Sequence, residues 1–174
     1  MERFSMNGVV NEVWNEATRS GVMLVIGFGN VMRGDDGVGP AVAEAVEALG
    51  ISGVRVAVHH QLTPELAVPW AGVASVVFVD ASMGHESEGV VVRELGFDLT
   101  AEGVGWNGHR FTPEALLALA LEMNGTRPRA WCVEVPVLEF GWGPGLSAKA
   151  QRGVEGAVEA IRALRRAEVC TRQA

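Results

Sequence analysis

The 174-residue chain is poor in cysteine, with only Cys132 and Cys170. Two cysteines cannot build the disulfide framework that stabilises small secreted domains. A chain of this length does not need one, because a compact fold of this size removes about 70% of its unfolded surface from water. Cys132 lies between Trp131 and Val133 and is predicted to be a small buried side chain, not a nucleophile. We therefore expect a cytoplasmic protein in reducing surroundings.

Positive charge and long hydrophobic runs are also scarce. The 14 Lys and Arg residues face 21 Asp and Glu residues, which gives a net charge of -7. Nucleic-acid binding needs a basic surface that displaces counterions, so no nucleic-acid partner is expected. The longest apolar runs, such as Ala115–Leu121, are far shorter than the roughly 20 residues that cross a bilayer. No membrane association is predicted.

Several familiar motifs are incomplete or missing. Gly27-x-Gly29 is followed by Met32 where a dinucleotide-binding loop has its third glycine. Pro40 follows Gly39 where a phosphate-binding loop has its lysine. The sequence holds neither a GxSxG nucleophile elbow nor an HExxH zinc motif. These absences count against nucleotide binding and against the common hydrolase mechanisms.

What the sequence does contain is an alternation of strand and helix patterns. Short apolar segments predict five strands, at 22–28, 54–58, 75–79, 89–95 and 130–135. Apolar residues at helical spacing predict helices at 38–49, 64–70, 114–123 and 148–164. Thr112-Pro113 and Ser147 are typical helix starts. The fold class is therefore α/β: a three-layer sandwich with a mostly parallel twisted sheet of about five strands, flanked by helices.

The domain organisation is simple. Residues 1–21 are predicted to be a flexible N-terminal leader and residues 22–174 a single α/β domain, because no repeat or linker divides the latter. The strand at 75–79 is expected to stop at Asp80, and residues 96–110 to form a long loop. The sequence lacks the heptads of a dimerisation helix, so a monomer is expected when the protein is free.

Candidate functional groups follow the predicted strands. Ligands of open α/β sheets bind beyond the carboxyl ends of the strands, where Asp36 (or Asp35), Asp80 and His109 occur in separate loops. Carboxylate and imidazole donors suit a divalent ion such as nickel or zinc. Each residue also has an ordinary structural alternative. Asp36 could stabilise a helix N-terminus, Asp80 could bond the backbone of the next residues, and His109 could be solvated. His59, His60 and His85 are interpreted as structural or solvated.

The loop Gly27–Gly39 (GFGNVMRGDDGVG) resembles the signature loop of the nickel-iron hydrogenase maturation proteases. Further resemblance lies in Asp80 at the end of an apolar strand, in His109 ahead of Thr112-Pro113, and in Gly143–Ser147 before the last helix. The likeness extends from Val22 to about Leu164. Asp36 stands where some relatives carry glutamate. Residues 60–65 (HQLTPE) resemble one subgroup of the family and differ from the Gly-Thr version of others.

The resemblance implies an endopeptidase that removes the C-terminal extension of a nickel-loaded [NiFe] hydrogenase large-subunit precursor. It implies that Asp36, Asp80 and His109 contact the metal and carry catalysis, and that nickel is supplied by the precursor. Substrate contacts are predicted at Gly27, Gly29, Asn30, Arg33 and Gln61. The alternative is a non-catalytic metal-state sensor or chaperone that binds the precursor without cutting it. A small-molecule-binding α/β domain also remains open.

Overall fold

A five-stranded sheet forms the centre of the fold in the computed structural model, which describes residues 21–70, 72–83, 89–96, 111–125, 127–138 and 140–173. The strands are β1 (Val22–Phe28), β2 (Val54–His59), β3 (Val73–Met83), β4 (Val91–Leu95) and β5 (Arg129–Val137). Their order is β2-β1-β3-β5-β4, with every neighbouring pair parallel except β4 and β5. The prediction of a mostly parallel five-stranded sheet is confirmed, and β4 lies at its edge.

Within the described residues, three α-helices and two 3₁₀ helices cover the sheet. They are α1 (Val38–Ala48), α2 (Pro113–Asn124), α3 (Ala148–Gln173) and the 3₁₀ helices Gly34–Gly37 and Pro64–Trp70. Helices α1 and α3 contribute Val42 and Ile161 to the core on one face of the sheet. Helix α2 and the second 3₁₀ helix contribute Leu116 and Trp70 to the core on the other face. The predicted three-layer sandwich is therefore confirmed.

Helix ends follow the predicted capping chemistry. The Thr112 side chain accepts a hydrogen bond from the Ala115 N–H at 3.2 Å, with Pro113 in the first turn, and Gly125 ends α2 with a φ of 63°. The Ser147 hydroxyl accepts from the Ala150 N–H at 3.2 Å at the start of α3. These caps satisfy backbone groups that a helix leaves unpaired at its ends.

Several boundaries differ from the prediction, and helix α3 runs to Gln173 instead of ending at 164. Strand β3 does not stop at Asp80 but continues to Met83, because its backbone pairs with β5 as far as Val137. Gly21, assigned to the leader, is buried, and its carbonyl oxygen accepts a hydrogen bond of 2.8 Å from the Arg165 guanidinium. Gly21 therefore belongs with the fold, and the rest of the predicted leader lies outside the described residues.

Glycines allow α1 to lie unusually close to the sheet. A Cβ on Gly27 of β1 would overlap the Gly39 carbonyl oxygen and lie 2.6 Å from the Ala43 Cβ. A Cβ on Gly39 would overlap the Phe28 carbonyl oxygen and lie 2.6 Å from the Val79 carbonyl oxygen. Such distances are too short for any side chain. This close packing brings the loop before α1 onto the ends of β1 and β3.

Among the described residues, every helix falls short of the span and the apolar character that a membrane crossing demands.

Candidate active site

The site lies where β1 ends beside β3. The last residue pair of these two strands is Gly27 with Val79, so Asp80 is the first β3 residue beyond it. Strand β2, which follows β1 in the chain, lies on one side of β1, whereas β3, β5 and β4 lie on its other side. A strand order that diverges in this way leaves a crevice at the carboxyl ends of the strands, where ligands of open α/β sheets bind.

Adjacent Asp35 and Asp36 have different surroundings. Asp35 is 3% exposed, and its carboxylate accepts hydrogen bonds from the Ser147 N–H at 2.7 Å and the Ser147 hydroxyl at 2.8 Å. Asp36 is half-buried, and its Oδ2 accepts a hydrogen bond of 3.2 Å from the Asn30 N–H. Asp35 thus ties the loop to the start of α3, while Asp36 remains at the crevice.

Asp80 combines a backbone contact with a place at the crevice. Its Oδ1 accepts a hydrogen bond of 2.8 Å from the Ala81 N–H. This is the bond to the following backbone that the sequence offered as the structural alternative, although it occurs inside β3 and not in a turn. A carboxylate has further lone pairs, so this bond leaves Asp80 able to accept another partner.

Asp36 and Asp80 line one cavity of about 310 Å³. Apolar walls, two carboxylates, an imidazole and a guanidinium surround this cavity. The lining residues are Phe28, Gly29, Asn30, Arg33, Asp36, His60, Gln61, Leu62, Asp80, Phe111, Thr112 and Pro113. A concave site with apolar walls and few polar groups is typical of a ligand or substrate site.

Four of the five predicted substrate contacts line this cavity: Gly29, Asn30, Arg33 and Gln61. The Arg33 guanidinium lies 5.8 Å from the centre of the Phe140 ring, a cation–π contact that holds it beside the cavity. Gly27 is different, because it is buried in β1 under Gly39. Its structural role is close packing.

His60 lines the cavity, although the sequence interpretation left it out as structural or solvated. It directly follows β2, the neighbour of β1, and its side chain is exposed. The sequence signal for His60 is its place at the carboxyl end of a parallel strand, next to the predicted substrate contact Gln61. His59 lies in β2 itself, and partial burial lowers its pKa below 6.5.

The donor set is only partly described. His109, the third predicted ligand, lies outside the described residues, as does His85. Within the described part of the chain, no three side chains of His, Cys, Asp or Glu converge tightly enough to hold a metal ion. Two carboxylates in an open cavity fit a divalent ion that brings ligands of its own, since Asp and Glu oxygens are among the ligands that a borderline dication accepts.

Cys132 is 4% exposed and lies in β5, where burial, then the charges of Glu134 and Asp80, raise its thiol pKa to about 12. A thiol with so high a pKa is neither a nucleophile nor a metal ligand at neutral pH. The prediction that Cys132 is a small buried side chain is confirmed.

Fold and crevice together define an open α/β sandwich with an acidic cavity at the point where its strand order diverges. No protein-family model and no curated protein sequence matches the chain. Solved structures of hydrogenase maturation peptidases share its fold. The [NiFe] hydrogenase maturation protease HybD from Thermococcus kodakarensis superposes with a TM-score of 0.63 at 20% identity, over 83% of this chain and 99% of that one.

Two further structures agree. The hydrogenase maturating endopeptidase HybD from E. coli has a TM-score of 0.64 at 20% identity, over 84% of this chain and 94% of its own. The hydrogenase 2 maturation peptidase from a Thaumarchaeota archaeon has a TM-score of 0.59 at 20% identity, over 83% of this chain and 98% of its own. At these identities the likeness establishes a shared fold over nearly the whole length of each relative.

Proposed function

We propose that this protein is a hydrogenase maturation endopeptidase that removes the C-terminal extension of a nickel-loaded [NiFe] hydrogenase large-subunit precursor. The observation that carries the proposal is the meeting of Asp36 and Asp80 in one cavity at the carboxyl end of the sheet. The signature-like loop Gly27–Gly39 forms one side of that cavity. The shared fold with solved maturation peptidases supports the same activity.

The nickel belongs to the substrate in this proposal. Asp36 and Asp80 supply carboxylate oxygens to the ion, and His109 supplies the third protein ligand that the resemblance implies. No thiolate, the donor that would hold a soft or borderline ion most firmly, is among the cavity-lining residues. A site of this composition binds nickel that is already held by the precursor and so distinguishes loaded from empty precursor.

Cleavage then follows from positioning. Docking the nickel against Asp36 and Asp80 fixes the adjacent peptide in the cavity, and fixed geometry lowers the entropic part of the barrier. A divalent ion next to the scissile bond polarises its carbonyl group or a water molecule. Arg33 and Gln61 line the cavity within reach of the extended peptide, and Phe28, Leu62 and Phe111 supply apolar wall.

The scarcity of cysteine supports a reducing compartment, and we place the reaction in the cytoplasm. We further propose that the free protein acts as a monomer and requires the precursor as its only macromolecular partner. Size-exclusion chromatography with light scattering measures the mass of the free protein and of its complex with the precursor.

The test is mass spectrometry of purified precursor after incubation with the protein. Nickel-loaded precursor is expected to lose its C-terminal peptide, and nickel-free precursor is expected to stay intact. Binding of the loaded precursor without release of the peptide would instead establish the sensor or chaperone function. Loss of the peptide from both precursors would contradict recognition through nickel.

A further inference from the structure

A third carboxylate lies beside the cavity without lining it. Glu134 of β5 is the register partner of Asp80 of β3. Register partners on neighbouring parallel strands are separated by about 4.8 Å along the hydrogen-bonding direction, and both side chains project from the same face of the sheet. That face is the one that α2 covers, because Phe78 and Cys132, two residues before Asp80 and Glu134, belong to its core.

Arg93 of β4 engages Glu134 from the side opposite to Asp80. Strand β5 lies between β3 and β4, and the Arg93 Nε donates to Glu134 Oε1 at 3.4 Å. The Arg93 Nη1 donates to Glu114 Oε1 on α2 at 3.2 Å. Glu114 directly follows Pro113, a cavity-lining residue. One guanidinium therefore holds two carboxylates at the edge of the site.

From this arrangement we infer that Arg93 is a positioning residue that keeps Glu134 turned away from the cavity, so that the described part of the site offers a cation two carboxylates and not three. The inference rests on the proposed function for its purpose, since a site that recognises nickel already held by the substrate must bind the free ion weakly. The position of the Glu134 carboxylate does not depend on that function.

The arrangement should keep the affinity of the isolated protein for a free dication low. Each added carboxylate near a dication strengthens its binding, so Glu134 in the cavity would add an oxygen donor to those of Asp36 and Asp80. While Arg93 satisfies Glu134, that donor points toward β4. Removing the guanidinium takes away the positive charge beside Glu134, and a cation between Glu134 and Asp80 would then offset the repulsion between these two carboxylates.

The test is calorimetric titration of the isolated protein with Ni²⁺ alone. Arg93→Met is expected to bind Ni²⁺ about three- to fivefold more tightly than the wild type, the range of a partly exposed ion pair. The double variant Arg93→Met/Glu134→Gln is expected to return to the wild-type affinity. Arg93→Lys keeps the charge and is expected to bind Ni²⁺ like the wild type. An increase that persists in the double variant, or no increase in Arg93→Met, overturns the inference.

Two further variants distinguish an effect of Glu134 from a general effect of substitution on β4 and β5. Glu134→Gln alone is expected to leave Ni²⁺ affinity unchanged, because Glu134 is already withdrawn, and a weaker affinity would show that Glu134 is a ligand and contradict the inference. Arg129→Met is the matched control. Its guanidinium lies 2.9 Å from Glu94 on the same two strands, and Glu94 pairs with Trp131 on the opposite face. Its loss should not change Ni²⁺ binding.

These titrations need no precursor and no cleavage. If the wild-type protein fails to cut nickel-loaded precursor while Arg93→Met still shows the Glu134-dependent gain in affinity, the proposed function is wrong and the inference stands. If cleavage occurs and the gain in Ni²⁺ affinity is absent, the proposed function stands and the inference is wrong.

Discussion

The Asp35 carboxylate accepts two hydrogen bonds from Ser147, one from its N–H at 2.7 Å and one from its hydroxyl at 2.8 Å. The two residues are 112 positions apart in the chain, and the contact joins the loop after β1 to the N-terminus of α3. A negative charge at that end of a helix is favourable. Asp35 therefore fixes the loop from which Asp36 reaches the cavity.

Replacing buried Asp35 with Asn should lower the free energy of unfolding by about 1–3 kcal/mol, because the partly buried Ser147 donors lose a charged acceptor and one of them faces an amide nitrogen. Urea denaturation followed by circular dichroism measures the change. Asp36→Asn is the matched control and should change stability by less than about 0.5 kcal/mol, since Asp36 makes one bond of 3.2 Å at the cavity. Equal losses in both variants would contradict the division of roles between these neighbours.

Gly27→Ala should lower the free energy of unfolding by about 1–3 kcal/mol, the usual cost of overpacking, because the new Cβ meets Gly39 and Ala43 of α1. Gly96→Ala is the control, since a Cβ there meets no atom of the described residues within 4 Å. A Gly27→Ala variant of unchanged stability with a raised KM for the precursor would instead support the predicted substrate contact at this position.

Thiol titration should distinguish the two cysteines. With a thiol pKa of about 12 and 4% exposure, Cys132 is expected to be unreactive toward Ellman's reagent at pH 8 in the folded protein, whereas exposed Cys170 reacts. One thiol should therefore react per folded chain and two in guanidinium chloride. Rapid reaction of both thiols in the folded protein would show that β5 is not buried as described.

Much of the fold could be predicted from local signals in the sequence. Thr112-Pro113 and Ser147 place helix starts because their side chains can satisfy only nearby N–H groups. The extent of β3 could not be predicted in the same way. Aspartate is rare in strands, and only pairing with distant β5 keeps the chain extended past Asp80. The segment after Thr63 forms a 3₁₀ helix, and its helical type depends on packing that the sequence pattern does not contain.

The candidate site could be predicted in part for a related reason. Asp36 and Asp80 follow predicted parallel strands, and the carboxyl ends of such strands meet at one edge. Which loop residues face the crevice depends on strand order and register, which placed His60 in the cavity and Gly27 beneath α1. The contribution of Arg93 depends on β4 pairing antiparallel at the sheet edge, a long-range contact without a local signal.

In the proposed function, Asp36 and Asp80 act together on the nickel of the precursor. The most direct measurement is the rate of peptide release from nickel-loaded precursor by Asp36→Asn, Asp80→Asn and the double variant, each checked for folding by circular dichroism. Each single variant is expected to lose at least about 100-fold in kcat/KM, and the double variant to lose little more than either one, because residues that act as a unit are not additive. Wild-type rates in both single variants would contradict the account.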